Sequence, residues 1–236
     1  AASDVYKRQV SGRYNYIESG SGAIKLTLKG SDNTIYGAGG NNTIVSNTGS
    51  NNFISGFGDA DNAQALSLAK GETKNLTING INYTVKNTNS KTSNALLYTV
   101  NPVTGAISFS GVNVNVTGQK DVSHNVELYG LNFKFYGGEK DDIITMYAVN
   151  STIYGEGGND KLLINNVSTA CGGAGDDEII LNSVGTAYGD DGDDIITVNI
   201  VNSGTINGGL GNDTYNINSK VTNLSDTGGD NIYNVN

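Results

Sequence analysis

Apolar residues along the last hundred positions come in pairs two apart, and the pairs recur at a near-constant interval. Ile144, Leu162, Ile179, Ile196, Tyr215 and Tyr233 are followed two positions on by Met146, Ile164, Leu181, Val198, Ile217 and Val235. An i, i+2 spacing places both side chains of a pair on one face of an extended strand. A second apolar series, Ile153, Ala170, Ala187, Ile206 and Leu224, lies between successive pairs. Each coil of about 18 residues therefore holds two brief strands joined by two turns. One coil cannot bury its own apolar face, whereas stacked coils share a continuous core. The predicted fold is all-β: a right-handed parallel β-roll or β-helix solenoid.

Upstream the same pattern is present but worn. Asn33-Thr-Ile, Asn42-Thr-Ile and Asn52-Phe-Ile recur at 9 and 10 residues, half a coil. Residues 10–62 read as degenerate solenoid coils that carry little or no metal, with Asp59 and Asp61 as a candidate for one ion. Between 63 and 119 the period breaks. Asn79-Gly80, between alternating segments, is a two-residue hairpin signal. A second hairpin is expected around Asn101-Pro-Val-Thr-Gly105, and Val112–Val116 alternates strictly. Together these predict a small antiparallel β insertion over 63–119. The repeat spacing resumes at Asn125, which gives a repeat domain over 120–236. Residues 1–9 stand apart: Asp4-Val-Tyr-Lys-Arg-Gln9 looks like a translated sequencing-library adapter, so they are expected to lie outside the fold. The last repeat stops without a capping segment, so the chain is expected to be a fragment of a longer protein.

The turns between the paired strands alternate in chemistry. One set carries Asn, Ser and Thr, as in Asn150-Ser151-Thr152 and Asn166-Val167-Ser168; the other carries glycine and aspartate. Glycine allows positive φ and close backbone approach, and Asn tolerates the same conformation at greater cost. The second set reads GGEKDDIIT from Gly137, GEGGNDKLL from Gly155, GGAGDDEII from Gly172, GDDGDDIIT from Gly189, GGLGNDTYN from Gly208 and a worn DTGGDNIYN from Asp226. Its sixth positions, Asp142, Asp160, Asp177, Asp194, Asp213 and Asn231, follow one another at 18, 17, 17, 19 and 18 residues. Stacking predicts a column of carboxylates at the strand separation of about 4.7–4.9 Å. The chain carries a net charge of −9; residues 137–236 alone carry −12, and the first 136 carry +3. Repulsion within such a column opposes stacking unless a cation neutralises it. Hard oxygen ligands on a glycine loop suit Ca²⁺, which accepts six to eight oxygens, better than Mg²⁺. One Cys, Cys171, and one His, His124, make no zinc set.

The nonapeptide resembles the G-G-x-G-x-D-x-U-x motif of the repeats-in-toxin (RTX) family, whose repeats form a calcium-binding β-roll. The copies at Gly172 and Gly208 match every fixed position. That at Gly137 has Lys140 where a glycine belongs, and the last opens on Asp226. The likeness spans roughly residues 137–235. It implies Ca²⁺ held between same-edge loops of successive coils, in at most five sites. Asp142, Asp160, Asp177, Asp194 and Asp213 would give carboxylates, Asn231 a neutral and weakest ligand, and Gly155, Gly172, Gly189 and Gly208 carbonyls. Asp141, Asp176, Asp193 and Asp230 are expected to tune charge rather than ligate. The resemblance also implies a secreted or cell-surface bacterial protein, exported by a type I system, whose repeats fold on meeting calcium outside the cell.

The remaining features narrow the reading. Thirty-three Gly and 34 Asn agree with a long β architecture. Acidity disfavours nucleic acid, and no run of 18 apolar residues marks a membrane span. No His-Glu-x-x-His, Gly-x-Ser-x-Gly or triad set occurs, so the chain is not expected to be an enzyme. Cys171 reads as a structural position, and His124 as a turn residue without a catalytic partner. Two alternatives stay open: a metal-independent adhesin stalk held by Asn ladders, and the tail of an extracellular enzyme whose catalytic domain lies elsewhere.

Overall fold

The computed structural model describes residues 64–101, 104–199 and 203–236, and the backbone of six short strands before residue 56. Two compact units divide the chain, one of residues 1–65 with 97–99, the other of residues 66–96 with 100–236. In the first, β1 (Tyr6–Val10), β3 (Ile24–Leu28) and β5 (Thr43–Asn47) form one sheet, and β2 (Tyr16–Ser19), β4 (Thr34–Gly37) and β6 (Phe53–Ser55) another. All pairs are parallel, with partners such as Tyr6↔Ile24 and Tyr16↔Thr34 one coil apart. Two alternating parallel sheets are what the worn repeats predict. Residues 6–9, read as adapter, are paired in β1. Asp59 and Asp61 lie outside the described residues.

β7 (Gln64–Leu68) and β10 (Asn94–Val100) are divided between the two units, and the second unit also holds β8 (Thr73–Ile78), β9 (Ile81–Asn87), β11 (Ile107–Val112) and β12 (Val114–Thr117). Repeated pairs follow: β13 (Asn125–Leu131) and β14 (Lys134–Gly138), β15 (Ile143–Met146) and β16 (Ser151–Gly157), β17 (Lys161–Ile164) and β18 (Ser168–Ala174). Then come β19 (Glu178–Leu181) and β20 (Gly185–Asp191), β21 (Ile195–Val198) and β22 (Ser203–Leu210), β23 (Thr214–Ile217) and β24 (Val221–Ser225), and finally β25 (Ile232–Val235). From β11 on, odd-numbered strands stack in one parallel sheet and even-numbered strands from β12 in another. The described residues are all β, with no helix long and apolar enough to cross a membrane.

The core lies between the sheets. Ile144, Met146, Leu162, Ile164, Ile179, Leu181, Ile196 and Val198 face Ile153, Ala170, Ala187 and Ile206, all fully buried. Burying each large aliphatic side chain contributes about 1.5–3 kcal/mol. The small Ala170 and Ala187 leave room for the larger residues of the facing strands. In the outermost strands β24 and β25 the equivalent Leu224, Tyr233 and Val235 are exposed.

The antiparallel part is smaller than predicted. Asn79 and Gly80 (φ 52° and 81°) close the β8–β9 hairpin, and β9 runs antiparallel to β12 with Val114 opposite Asn87. This hairpin covers an edge of the stack that would otherwise expose unpaired backbone groups. Yet β11 and β12, assigned by sequence to the insertion, pair in parallel with β13 and β14. The parallel stack thus begins at Ile107, not near 120. Period-2 alternation is common to parallel and antiparallel strands, so Val112–Val116 does not encode its partner's direction. Tyr83, Phe109 and Phe135 fill the core beside the hairpin, with ring centroids 5.1 and 6.4 Å apart.

Candidate metal centre

The sixth and eighth positions of each repeat share a strand face, so the aspartates point inward with the isoleucines and leucines. Asp142, Asp160, Asp177, Asp194 and Asp213 are each at most 2% exposed. The expected column of carboxylates therefore exists, and it lies inside the corner of each coil. The same i, i+2 argument that identifies the core already requires this orientation.

One oxygen of each carboxylate is committed to the backbone. Asp160 Oδ1 accepts the Asp142 amide at 2.7 Å, Asp177 Oδ1 that of Asp160 at 2.7 Å, Asp194 Oδ1 that of Asp177 at 2.8 Å, and Asp213 Oδ1 that of Asp194 at 2.9 Å. The rungs on either side of the five aspartates are uncharged. Asp142 Oδ1 accepts from the amide of His124, which occupies the sixth position of the preceding coil. His124 is buried; its Nε2 donates to the Gln119 carbonyl at 2.9 Å and its Nδ1 accepts from Tyr83 at 3.2 Å. Burial holds its pKa below the usual histidine range, so the imidazole is neutral. Sequence reasoning left His124 in a turn; its offset of 18 residues from Asp142 is the signal that places it. At the other end Asn231 Oδ1 accepts the Asp213 amide at 2.7 Å, while its Nδ2 donates to Asp226 Oδ2 and, at 3.4 Å, to the Gly228 carbonyl. The expected neutral ligand thus has its whole amide engaged.

The second oxygens have no such partner. Oδ2 of Asp160, Asp177, Asp194 and Asp213 is buried and makes no hydrogen bond; that of Asp142 accepts only the Gly138 amide at 3.1 Å. Those of Asp142, Asp160, Asp177 and Asp194 each lie beside a glycine carbonyl of the next coil. A Cβ built on Gly155 would meet Asp160 Oδ2 at 2.0 Å and the Gly172 carbonyl oxygen at 2.4 Å. One on Gly172 would meet Asp177 Oδ2 at 2.0 Å and Gly189 O at 2.7 Å, and one on Gly189 would meet Asp194 Oδ2 at 2.0 Å and Gly208 O at 2.3 Å. The glycines are thus required by close approach. Gly172→Ala is expected to destabilise the protein by about 3 kcal/mol, the upper part of the range for overpacking, because one of the two oxygens belongs to rigid backbone. Chemical denaturation with and without calcium measures this; a loss below ~0.5 kcal/mol would show that the corner is not close-packed.

Two carboxyl-derived or carbonyl oxygens with no hydrogen between them repel. Burial, opposed in part by the ladder hydrogen bonds, raises the pKa of Asp142 to about 6, Asp160 to about 8, Asp177 to about 7 and Asp194 to about 8. Asp213 is raised by burial too. Each carboxyl group needs either a proton on Oδ2 or a cation beside it.

Two exposed ladders run beside the buried one. Asp141, Asn159, Asp176, Asp193 and Asn212 each accept, through Oδ1, the amide of the equivalent residue one coil on, at 2.7–3.0 Å. The residues expected to tune charge therefore also brace the glycine turn. Asn165, Asn182, Asn199, Asn218 and Asn236 form a side-chain amide chain, each Nδ2 donating to the preceding Oδ1 at 2.6–3.0 Å. Cys171 sits in register between Tyr154 and Tyr188, and burial pushes its thiol up to about 11, away from nucleophilic use.

Among the described residues no three His, Cys, Asp or Glu side chains converge as a metal cluster. A cation in the column would be held by one carboxylate oxygen and by glycine carbonyls of the adjoining coil. That donor set is all hard oxygen, the ligand type that Ca²⁺ accepts, and the orphaned Oδ2 atoms supply the charge. No protein-family model, no curated protein and no solved structure matches the chain.

Proposed function

We propose that this chain is a calcium-bridged β-solenoid module of a larger secreted or cell-surface protein. The reading is carried by the buried, unpartnered Oδ2 atoms of Asp160, Asp177 and Asp194, each set against a glycine carbonyl of the next coil. Asp142, Asp160, Asp177 and Asp194, with Gly155, Gly172, Gly189 and Gly208, would hold the ions. Calcium there supplies positive charge between two oxygens that otherwise repel, and ties one coil to the next. The RTX-like spacing of these same residues supports this reading. Cation binding is then part of the folding free energy. At the calcium of extracellular modules, about 10⁻⁴–10⁻³ M, the stack closes; in a calcium-poor cytoplasm it stays loose until export.

The test is thermal unfolding of the full chain, followed by circular dichroism, in chelator and in millimolar calcium. With millimolar calcium about tenfold over a dissociation constant of about 10⁻⁴ M, each filled site adds about 1.4 kcal/mol, so four sites together raise the melting temperature by roughly 10 °C. Identical melting curves in the two buffers overturn the proposal. They would favour a metal-independent stalk, for which the unbroken Asn165–Asn236 ladder is the supporting observation.

A further inference from the structure

The Asp213 rung is built differently from those above it. In the preceding rungs the loop of the next coil opens on glycine, whose carbonyl faces Oδ2. After Asp213 the next loop opens on Asp226, and its sixth position is Asn231. The acid has moved from the sixth position to the first, rather than being lost. A side chain at the first position of an inner coil would strike the same loop's aspartate, as the 2.0 Å approach at Gly172 shows. Asp226 meets an amide instead: its Oδ2 accepts from Asn231 Nδ2, and its Oδ1 accepts the amides of Thr227 at 2.5 Å and Gly228 at 3.1 Å.

The core residue at this rung also changes. The eighth position is Ile144, Leu162, Ile179 or Ile196 in the inner coils, but here it is Tyr215, fully buried. Tyr215 Oη accepts the Gly208 amide at 2.8 Å; its contacts to Asp226 Oδ2 at 3.2 Å and the Ser225 carbonyl at 3.5 Å are those to which it can donate. A Cβ on Gly208 would meet Asp213 Oδ2 at 1.9 Å and Tyr215 Oη at 2.2 Å, where the inner rungs present a glycine carbonyl. Asp213 is fully buried, its Oδ1 is taken by the Asp194 amide, and its Oδ2 has no partner.

We infer that Asp213 and Asp226, with the Tyr215 hydroxyl oxygen, form a terminal divalent-cation site distinct from the inner ones. The inference rests on the reading that the column takes up calcium. Two carboxylates from adjacent coils face this site, where each inner site has one. Affinity for Ca²⁺ rises with the number of charged ligands, so the last site is the tightest, the reverse of what a neutral Asn231 ligand implies.

The experiment is isothermal calorimetry of the full chain with calcium chloride, on the native protein, Asp226→Asn and Asp226→Gly, with circular dichroism confirming the fold of each. Removing the Asp226 carboxylate is expected to abolish the tightest event, leaving only events of the weaker, inner kind. If both variants bind as many ions as the native chain with unchanged affinities, the terminal site is wrong while the inner column stands. If the native chain binds no calcium, the column reading fails with it. Terbium provides a second readout, because the chain has no Trp and tyrosine alone sensitises the ion. Tyr215→Phe keeps the buried ring, and it is expected to cut sensitised emission at substoichiometric terbium by at least half. Emission equal to that of the native chain counts against Tyr215 at the site.

Discussion

Replacing Asp177 and Asp194 together by Asn is expected to stabilise the metal-free protein near pH 8 and to remove most of its response to calcium. Asn231 shows how an amide fits this position: Oδ1 keeps the ladder bond to the coil before it, and Nδ2 donates where a carboxylate would leave an orphaned oxygen. In Asp177→Asn the new Nδ2 lies beside the Gly189 carbonyl, and in Asp194→Asn beside that of Gly208. Two buried charges disappear and two acceptors gain donors. An uncompensated buried charge costs several kcal/mol, so the pair is expected to gain about 3–5 kcal/mol in chelator. For a chain of this size that is roughly a 6–20 °C rise in melting temperature. Scanning calorimetry in chelator and in calcium gives both halves of the result. A fall in the chelator melting point would mean that the carboxylates already have a favourable partner within the metal-free fold, and the bridging role would be lost.

The repeat period was legible because every coil obeys the same two constraints: an inward apolar pair and a turn that only glycine or Asn tolerates. Ile144 through Ile196 fall at the same site in each coil, and any one register implies the rest. The hairpin at Asn79-Gly80 was legible for a similar reason, since that dipeptide suits two successive positive φ values. What alternation could not specify was partner direction, so β11 and β12 read as part of the insertion although they open the parallel stack. The aspartate side chains fall in the column that the spacing predicts, and the structure adds that the column is buried. Their depth went unread because the period-2 geometry, which argues for burial, was applied to the apolar residues alone. The roles of His124 and Asp226 were hidden because each replaces the expected residue type: an imidazole where the ladder has carboxylates, and a carboxylate where it has glycine. The spacing already aligned Asp226 with the opening glycines and offered an 18-residue offset for His124; what it did not show is the hydrogen bonds that each makes there.

Raising the pH in chelator is expected to unfold the repeat stack. Asp160, Asp177 and Asp194 have folded-state pKa values of about 8, 7 and 8, all raised by burial above an ordinary value of 3.8. The folded protein therefore holds protons that the unfolded chain has released. Where the native state binds more protons, stability falls as pH rises. The loss begins as pH passes the unfolded value near 4 and is complete above about 8; below that window these groups contribute no pH dependence. Three protons held near pH 6 correspond to a slope of about −4 kcal/mol per pH unit, an upper figure that water entry into the opened corner would reduce. Asp142, raised to about 6, adds to the lower half of the window. Calcium acts in the opposite sense, because it binds the deprotonated groups and displaces their protons. Its stabilising effect should be small near pH 5 and large near pH 8, and its binding there should release less than one proton per ion. Urea unfolding across this range, with and without calcium, tests both signs. A chelator-treated protein equally stable at pH 5 and pH 8 would show that these carboxylates are ionised in the fold without a cation, and that neither proton nor calcium is needed to close the stack.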